Sequence, residues 1–259
     1  MLPKRRIGPA AAEPCSCIFR LTMPKTLFEK LWQLHQVADL GDDAYLLFID
    51  RIFLHERTGS IALDSLEQSG RAVRDPARAF CTMDHIVDTF PGRGDATVMP
   101  SGTDFIKATR TGAHKAGITL FDINDAQQGI AHVVAAEQGI ALPGLTQVCP
   151  DSHTCTLGGL GLLAWGVGST EAEHALATGT LRVQKPRTMR VYFDGETAPD
   201  VSAKDMVLHL IATIGASGAS GYAIEFAGPA ITSLSPEGRM TLCNMAVECS
   251  AFTGLVAPD

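Results

Sequence analysis

Hydrophobic residues along this chain follow two patterns that alternate from one end to the other. The first consists of short, mainly apolar runs, which are typical of strands buried inside a sheet. These predicted strands are Ala44–Ile49, Ala79–Met83, Ile118–Ile123 and Gly144–Val148. A further predicted strand, Met189–Phe193, alternates apolar and polar residues and is expected to be half-buried.

The second pattern places apolar residues three and four positions apart, as on one face of a helix. It predicts helices at Thr26–His35, Ser60–Gly70, Asp104–Ala116, Thr170–Thr180, Ala203–Ile214 and Arg239–Thr253. Thr26 is the expected N-cap of the first helix, and Gly117 is the expected C-cap of the third. Because strands and helices alternate, the chain is predicted to be α/β, with a mainly parallel sheet flanked by helices.

Polar side chains gather where the predicted strand Gly144–Val148 ends. The residues that follow include Asp151, Ser152 and His153, and an apolar, glycine-rich run comes next. Strand ends in α/β folds are where ligands bind, because side chains converge there on an open crevice. This stretch is therefore the first candidate for a functional site.

Two more polar sites have a similar setting. Asp84-His85 stands at the end of the strand Ala79–Met83, and His132 lies in an apolar segment. An imidazole beside a carboxylate suits general acid–base chemistry, since the carboxylate orients the ring and raises its basicity. A single such histidine is more often structural, but three sites, two of them with a neighbouring aspartate, favour a function.

Other chemistries have weaker support. Direct metal ligation by these histidines matches no short zinc motif, since the sequence has neither Cys-x-x-Cys nor His-x-x-x-His. Gly159–Ala164 formally fits the dinucleotide pattern G-x-G-x-x-A. It does not directly follow a strand, however, and lacks the acidic residue expected about 20 positions later. Ser152 lacks the G-x-S-x-G context of a nucleophilic serine.

Composition narrows the class of protein. The 259 residues are 46% apolar and 19% charged, as in globular domains, and the net charge of −7 argues against a nucleic-acid partner. No apolar run reaches the roughly 18 residues of a membrane span. Seven cysteines, an odd number without a framework spacing, indicate free thiols in a reducing, cytoplasmic setting.

The first 22 residues differ from the rest of the chain. They are rich in arginine, lysine and proline and carry Glu13 as their only acid. They are expected to be a disordered targeting leader or sequence upstream of a natural start at Met23. The sequence ends at Leu255–Asp259 with neither a closing helix nor a polar tail, and it is therefore expected to be a fragment.

Several longer motifs resemble the aconitase superfamily, and within it most closely the large subunits of 3-isopropylmalate dehydratases. In chain order they are Met83–His85, Gln128–His132, Glu137–Gly139, Asp151–Thr154, Gly166–Thr178 and Glu237–Met245. Together these motifs are specific. The resemblance implies an aconitase-like fold that is incomplete at the C-terminus, with residues 23–259 as the N-terminal part of its catalytic domain.

The resemblance also implies a hydro-lyase that dehydrates and rehydrates a small-molecule 2-hydroxy diacid with the help of a [4Fe-4S] cluster. With 2-isopropylmalate as substrate, such an enzyme acts in leucine biosynthesis. By position, Asp84 and His85 resemble the pair that protonates the leaving hydroxyl. The other two imidazole–carboxylate pairs implied are His132 with Asp151 and His153 with Glu225, and Ser152 resembles a contact to a substrate carboxylate.

Departures from the family pattern limit what this chain is expected to do alone. The family's cluster cysteines, in Cys-Thr-Asn and Cys-x-x-Cys motifs, match none of the seven present and are expected beyond Asp259. The swivelling domain, a separate small subunit in these dehydratases, matches no part of the sequence and is the expected partner. The chain by itself is therefore expected to be inactive.

The substrate and even the class of function remain open at this point. Ile86 and Pro150 replace the family's usual asparagine and glycine beside the site, so citraconate, dimethylmalate and homoaconitate are alternative substrates. A non-catalytic fragment is a second alternative. A third is a hydrolase whose divalent metal is bound directly by His85, His132 or His153.

Overall fold

A computed structural model of the protein describes residues 24–259, so the expectation for residues 1–22 lies outside the described residues. The strands are β1 (Gln36–Asp39), β2 (Ala44–Phe48), β3 (Arg51–His55), β4 (Ala79–Thr82), β5 (Thr119–Phe121), β6 (Thr146–Cys149), β7 (Leu163–Gly166), β8 (Thr180–Gln184), β9 (Arg187–Tyr192), β10 (Tyr222–Ala227) and β11 (Thr253–Val256). The helices are α1 (Leu27–His35), α2 (Glu56–Gln68), α3 (Gly102–Ala116), α4 (Ala131–Glu137), α5 (Ser169–Thr178), α6 (Ala203–Ile214), α7 (Pro229–Thr232) and α8 (Pro236–Asn244). Segments of 3₁₀ helix occupy Pro76–Arg78, Ser152–Leu160 and Met245–Cys249.

The central sheet has the strand order β5-β4-β3-β6-β7, and every neighbouring pair in it is parallel. Strands β1, β2 and β8 form an antiparallel sheet, and β11, β10 and β9 form a second parallel one. Parallel neighbours need crossover connections, and helices supply most of them here. The predicted α/β class with a mainly parallel sheet is therefore confirmed.

Both helix ends singled out in the sequence have the expected geometry. Thr26 Oγ1 accepts a hydrogen bond from Glu29 N at 3.1 Å, and Thr26 N donates to Glu29 Oε2 at 2.9 Å. This capping box starts α1, and such caps stabilise helices by about 1 kcal/mol. Gly117 ends α3 with a left-handed φ of +69°, which glycine adopts without a steric cost.

The middle strand of the central sheet, β3, is not predicted by the hydrophobic pattern. The predicted strand Ala44–Ile49 exists, but as β2 in the antiparallel sheet. Asp50 forms the junction between the two sheets. Its backbone N–H donates to Thr146 Oγ1 and its carboxylate accepts from Thr146 N, both at 2.9 Å. The chain thus enters the central sheet directly after β2. The nearly continuous apolar stretch that contains β2 and β3 therefore contributes one strand to each of two sheets.

The predicted helix Arg239–Thr253 is wrong in its second half. Helix α8 ends at Asn244, a 3₁₀ segment follows, and Ser250 takes a left-handed φ of +63°. Strand β11 then adds to β10, with all four of its residues buried. Thr253 Oγ1 donates to the carbonyl of Ala164 at 2.6 Å, which ties β11 to the central sheet. The burial of this β-rich segment overrides its local helical spacing.

Candidate active site

Three strands of the central sheet end at one edge, and each is followed by polar residues. His55 and Glu56 stand at the end of β3, and Asp84-His85 comes two residues after β4. Asp151-Ser152-His153 comes two residues after β6. Because β4, β3 and β6 are adjacent and parallel, their carboxyl ends meet in space. The predicted polar sites therefore converge on one place.

Asp151 is at the centre of this cluster. Its Oδ2 lies 3.1 Å from His85 Nε2, and its Oδ1 lies 3.3 Å from His132 Nε2. Oδ1 also accepts a hydrogen bond from the backbone N of His153 at 2.7 Å. Burial alone would raise the pKa of Asp151, but hydrogen bonds from His132 and His85 outweigh it and hold that pKa well below its usual range. Asp151 is therefore a carboxylate at neutral pH.

His85 lies between two carboxylates. Its Nδ1 is 2.6 Å from Asp84 Oδ1, and its Nε2 faces Asp151. The hydrogen bonds that His85 donates to Asp151 and Asp84 raise its pKa to about 10. The ring is therefore an imidazolium at neutral pH and holds a proton at each nitrogen.

Helix α4 brings His132 to the cluster. Asp84 Oδ2 accepts the backbone N–H of Ala131 at 2.7 Å and so anchors the helix N-terminus, where a carboxylate is favoured. His132 follows in the first turn and is buried. The structure thus places together the two pairs expected from the sequence, Asp84 with His85 and His132 with Asp151.

The predicted pairing of His153 with Glu225 is wrong. Glu225 lies on β10, and its Oε1 accepts the backbone N–H of Phe28 at 2.7 Å, near the start of α1. His153 Nε2 instead lies 3.0 Å from Glu248 Oε1. Glu248 belongs to the 3₁₀ segment that follows α8, in the region predicted as continuous helix. The signal that could have found it is an acid placed alone within the run Met245–Cys249.

Ser152 is exposed at the mouth of the cluster. Its Oγ lies 3.1 Å from His153 Nδ1. A cavity of about 420 Å³ opens beside it, lined by residues that include Pro150, Gly168 and Glu171. A larger cavity of about 500 Å³ lies between α4 and α8 and is lined by none of the clustered histidines. Neither cavity is lined by a clustered histidine, but Ser152 lines the one of about 420 Å³, which makes that cavity the nearer candidate for a ligand of this site.

His55 and Glu56 belong to the site but are not assigned a role from the sequence. The buried Glu56 carboxylate accepts the backbone N–H groups of Asp84 at 2.9 Å and His85 at 2.8 Å, and also that of Ile86. The ring of His55 stacks on that of His85, with 3.7 Å between centroids and 13° between planes. The signal for both is a polar pair that directly follows the apolar run Ile52–Leu54.

Glycines allow the chain to fold tightly around Asp151. A Cβ at Gly166 would lie 2.6 Å from the carbonyl oxygen of Asp151. A Cβ at Gly158 would lie 1.8 Å from the carbonyl oxygen of Gly254 on β11, and one at Gly159 would clash with α8. Close packing thus explains Gly159, and a left-handed φ of +80° together with the nearby Pro258 explains Gly161, the two glycines that formally match a dinucleotide-binding motif.

The described residues do not form an open metal site. His55, Glu56, Asp84 and His85 each bring a possible ligand atom within 4.8 Å of the others. The oxygens of Glu56, however, already accept backbone N–H groups, and both nitrogens of His85 face carboxylates. These atoms are engaged with one another, so the set does not fit a resident metal ion.

The described cysteines do not fit an iron–sulfur cluster either. All five thiols are buried. Desolvation raises the pKa of Cys81, Cys149 and Cys243 well above the ordinary value, and that of Cys155 to about 12. The pKa of Cys249 is raised for the same reason. Cluster ligands are thiolates, which these environments disfavour.

Imidazole–carboxylate pairs at parallel strand ends are an arrangement suited to acid–base chemistry on a small polar ligand. Residues 29–259 match the Aconitase family (aconitate hydratase), and the chain belongs to that family. It is 47% identical over 238 residues to 3-isopropylmalate dehydratase large subunit 1 of Bradyrhizobium diazoefficiens. That alignment covers 92% of this chain and 50% of the relative, so the chain spans about half the length of the curated protein it matches.

The helices formed by residues 24–259 were also considered as possible membrane spans. None of them combines the length and the apolar character that crossing a membrane requires.

Proposed function

We propose that this chain supplies acid–base residues of a hydro-lyase that isomerises 2-isopropylmalate and 3-isopropylmalate by dehydration and rehydration in leucine biosynthesis. One observation carries the proposal: His85 is held as an imidazolium between Asp84 and Asp151 at the carboxyl edge of the sheet. Removal of a hydroxyl as water needs a proton donor at the leaving oxygen. The kinship with a 3-isopropylmalate dehydratase large subunit supports this substrate.

In this proposal His85 donates the proton from Nε2. Asp84 faces Nδ1 and keeps the ring oriented while the Nε2 proton moves. Asp151, which faces Nε2 and also His132, holds that N–H in place until the proton moves to the leaving oxygen, and the partly exposed ring regains a proton from solvent. His85 keeps 29% of its side chain exposed, so a substrate can approach it.

Ser152 and His153 are proposed to contact the substrate on the exposed side. The Ser152 hydroxyl lies beside the cavity of about 420 Å³ and can donate to a substrate carboxylate. Glu248 faces His153 Nε2 and orients that ring, the role that the sequence assigned to Glu225. Ile86 and Pro150 border the same site, which leaves citraconate, dimethylmalate and homoaconitate as competing substrates.

Aconitase-family enzymes use a [4Fe-4S] cluster, which supplies a Lewis acid when bound. Because the described thiols are unsuited to it, we propose that the ligands of any cluster lie outside residues 24–259. We also propose a small subunit with a swivelling domain as partner, since the relative is named a large subunit. The five free thiols support a cytoplasmic location.

The function can be tested in a chimera in which this chain replaces the matching segment of the Bradyrhizobium large subunit. The chimera is combined with a small subunit and its cluster is reconstituted without oxygen. We expect it to form the unsaturated diacid from 2-isopropylmalate, followed by absorbance, faster than from the competing 2-hydroxy diacids. A preference for another diacid would identify that diacid as the substrate instead of 2-isopropylmalate. If the chimera converts none of the diacids, the proposed function is contradicted.

Binding can be tested on the 259-residue chain itself. We expect 2-isopropylmalate to shift the imidazole NMR signals of His85 and His153. Ser152→Ala is expected to weaken this binding by about tenfold, the loss of one charge-assisted hydrogen bond. Ser217→Ala, at an exposed serine in the loop before β10, is the matched control. Equal binding by both variants would remove Ser152 from the site.

A further inference from the structure

His55 contacts the acid–base residues in two ways. The face of its ring lies 3.7 Å from that of His85, at 13° between planes. Its Nε2 lies 2.9 Å from the carbonyl oxygen of Pro150, the residue directly before Asp151. His55 thus contacts both one face of the His85 ring and the backbone that leads into Asp151.

Hydrogen bonding fixes which nitrogen of His55 carries the proton. A carbonyl oxygen only accepts, so Nε2 must donate to Pro150. Nδ1 is buried without a hydrogen-bond partner. A proton on Nδ1 would bury an unpaired N–H group, which is costly. His55 is therefore neutral, and burial together with the nearby charge of His85 lowers its pKa.

A neutral ring is the right neighbour for an imidazolium. The face of an aromatic ring attracts a cation, whereas a second cation at this distance would repel it. His55 is also almost fully buried, with 1% of its surface exposed, so it excludes water from the lower face of His85. Excluding water lowers the local dielectric and so strengthens the attraction between His85 and its two carboxylates.

The contact with Pro150 acts on Asp151 through the backbone. Proline fixes its own φ, so holding its carbonyl restricts the start of the turn that carries Asp151. Thr58 Oγ1, at 3.1 Å from His55 Nε2, is a second acceptor for the same N–H and ties it to α2. The position of Asp151 relative to His85 Nε2 thus depends on His55.

We propose that His55 is a positioning residue for His85 and Asp151: its neutral ring supports one face of His85, and its Nε2–H holds the Pro150 carbonyl that sets Asp151. The proposal rests on the acid–base function proposed above. His55 does not need to touch the substrate for this role.

The proposal is tested by NMR on the 259-residue chain with ¹⁵N-labelled histidine, titrated from about pH 5 to about pH 10.5. In the wild type we expect His55 as the neutral tautomer with its proton on Nε2, and His85 titrating near 10. This measurement needs no variant. A proton on Nδ1 of His55, or a charged His55 at neutral pH, would overturn the proposal.

Two variants of His55 remove its two contacts one at a time. His55→Phe keeps a flat ring but loses the donor to Pro150, and His55→Gln keeps a donor but loses the ring. Each is expected to lower the pKa of His85 by about one unit, a tenfold weaker hold on its proton. His114→Gln, at an exposed histidine near the end of α3, is the control and is expected to leave His85 unchanged.

A structural role of His55 alone predicts something different. Both variants would then lower the unfolding temperature but leave the pKa of His85 in the folded chain as in the wild type, and that result would overturn the proposal. The outcome is independent of turnover. A chimera without activity would contradict the proposed function while the His85 titration still decides the role of His55.

Discussion

Two histidine–aspartate pairs lie near opposite ends of β3 and differ in their surroundings. His35 Nε2 is 2.7 Å from Asp50 Oδ2, and His35 Nδ1 is 2.8 Å from the carbonyl oxygen of Leu31. Thr146 also donates to Asp50 Oδ2, and Asp50 Oδ1 lies 3.9 Å from Arg78 Nη1. Both nitrogens of the buried His35 ring and both oxygens of the partly buried Asp50 thus face partners inside the fold, which makes the pair a structural connection between α1 and the sheets.

The pair of His85 and Asp84 is nearly the same in length, at 2.6 Å, but His85 has a second carboxylate and remains partly exposed. The pKa is raised in both histidines. For His35, burial opposes the shift and the hydrogen bond to Asp50 outweighs it. A shared proton therefore does not distinguish the two pairs. Access to solvent and the second carboxylate do, and they are what acid–base chemistry on a ligand requires.

The largest expected effect concerns His85. His85→Gln in the chimeric enzyme should reduce the dehydration rate by roughly 10²-fold or more, because the proton donor is lost. The free energy of unfolding should also fall at neutral pH, because the ion pairs of His85 with Asp84 and Asp151 are lost, so the rate is compared per folded molecule. Steady-state kinetics and thermal unfolding together check this. A rate within a few-fold of the wild type would show that His85 is not the donor.

His35→Gln is expected to lower stability without affecting activity. It leaves the partly buried Asp50 carboxylate with a weakened partner and should lower the free energy of unfolding by about 1–2 kcal/mol. Activity per folded molecule should stay within about twofold. Denaturant unfolding and active-site titration are the measurements. A stable but inactive His35→Gln enzyme would mean that the two pairs do not differ as proposed.

The pH dependence of stability sharpens the same comparison. The pKa of His85 is raised to about 10 in the folded chain, from about 6.5 when unfolded. Its stabilisation is thus complete below about pH 6.5 and is lost as the pH rises toward about 10, at no more than about 1.4 kcal/mol per pH unit. We expect His85→Gln to flatten the alkaline slope of unfolding free energy. An unchanged slope would contradict the charged state of His85.

The strand ends explain how much of the site could be predicted. Asp84-His85 and Asp151-Ser152-His153 each follow a predicted strand, so their convergence follows from the parallel order of the sheet. His55 could not be placed, because β3 continues an apolar stretch that the pattern assigns to one strand. Its ring contact with His85 depends on which strands are neighbours, which periodicity does not encode.

The prediction that Glu225 faces His153 failed for a different physical reason. Glu248 and Glu225 both lie in the C-terminal part of the chain, and only the tertiary path decides which one reaches His153. That path depends on the turn at Ser250 and on β11, whose pairing partner β10 is distant in sequence. Local helical spacing hides both features. The resemblance to a family identified the kind of pair correctly but attached it to the wrong glutamate.

The smallest expected effects separate these two glutamates. Glu225→Gln should lower the free energy of unfolding by about 0.5–1 kcal/mol, because a carboxylate near the first turn of α1 is lost, and it should leave turnover unchanged. Glu248→Gln should slow turnover by about tenfold, the value of one charge-assisted hydrogen bond to His153, and leave unfolding nearly unchanged because Glu248 is half-exposed. The same kinetic and unfolding measurements apply to both variants. If Glu225→Gln slows turnover and Glu248→Gln does not, the contact between His153 and Glu248 is not the working pair, and the assignment made from the sequence regains its place.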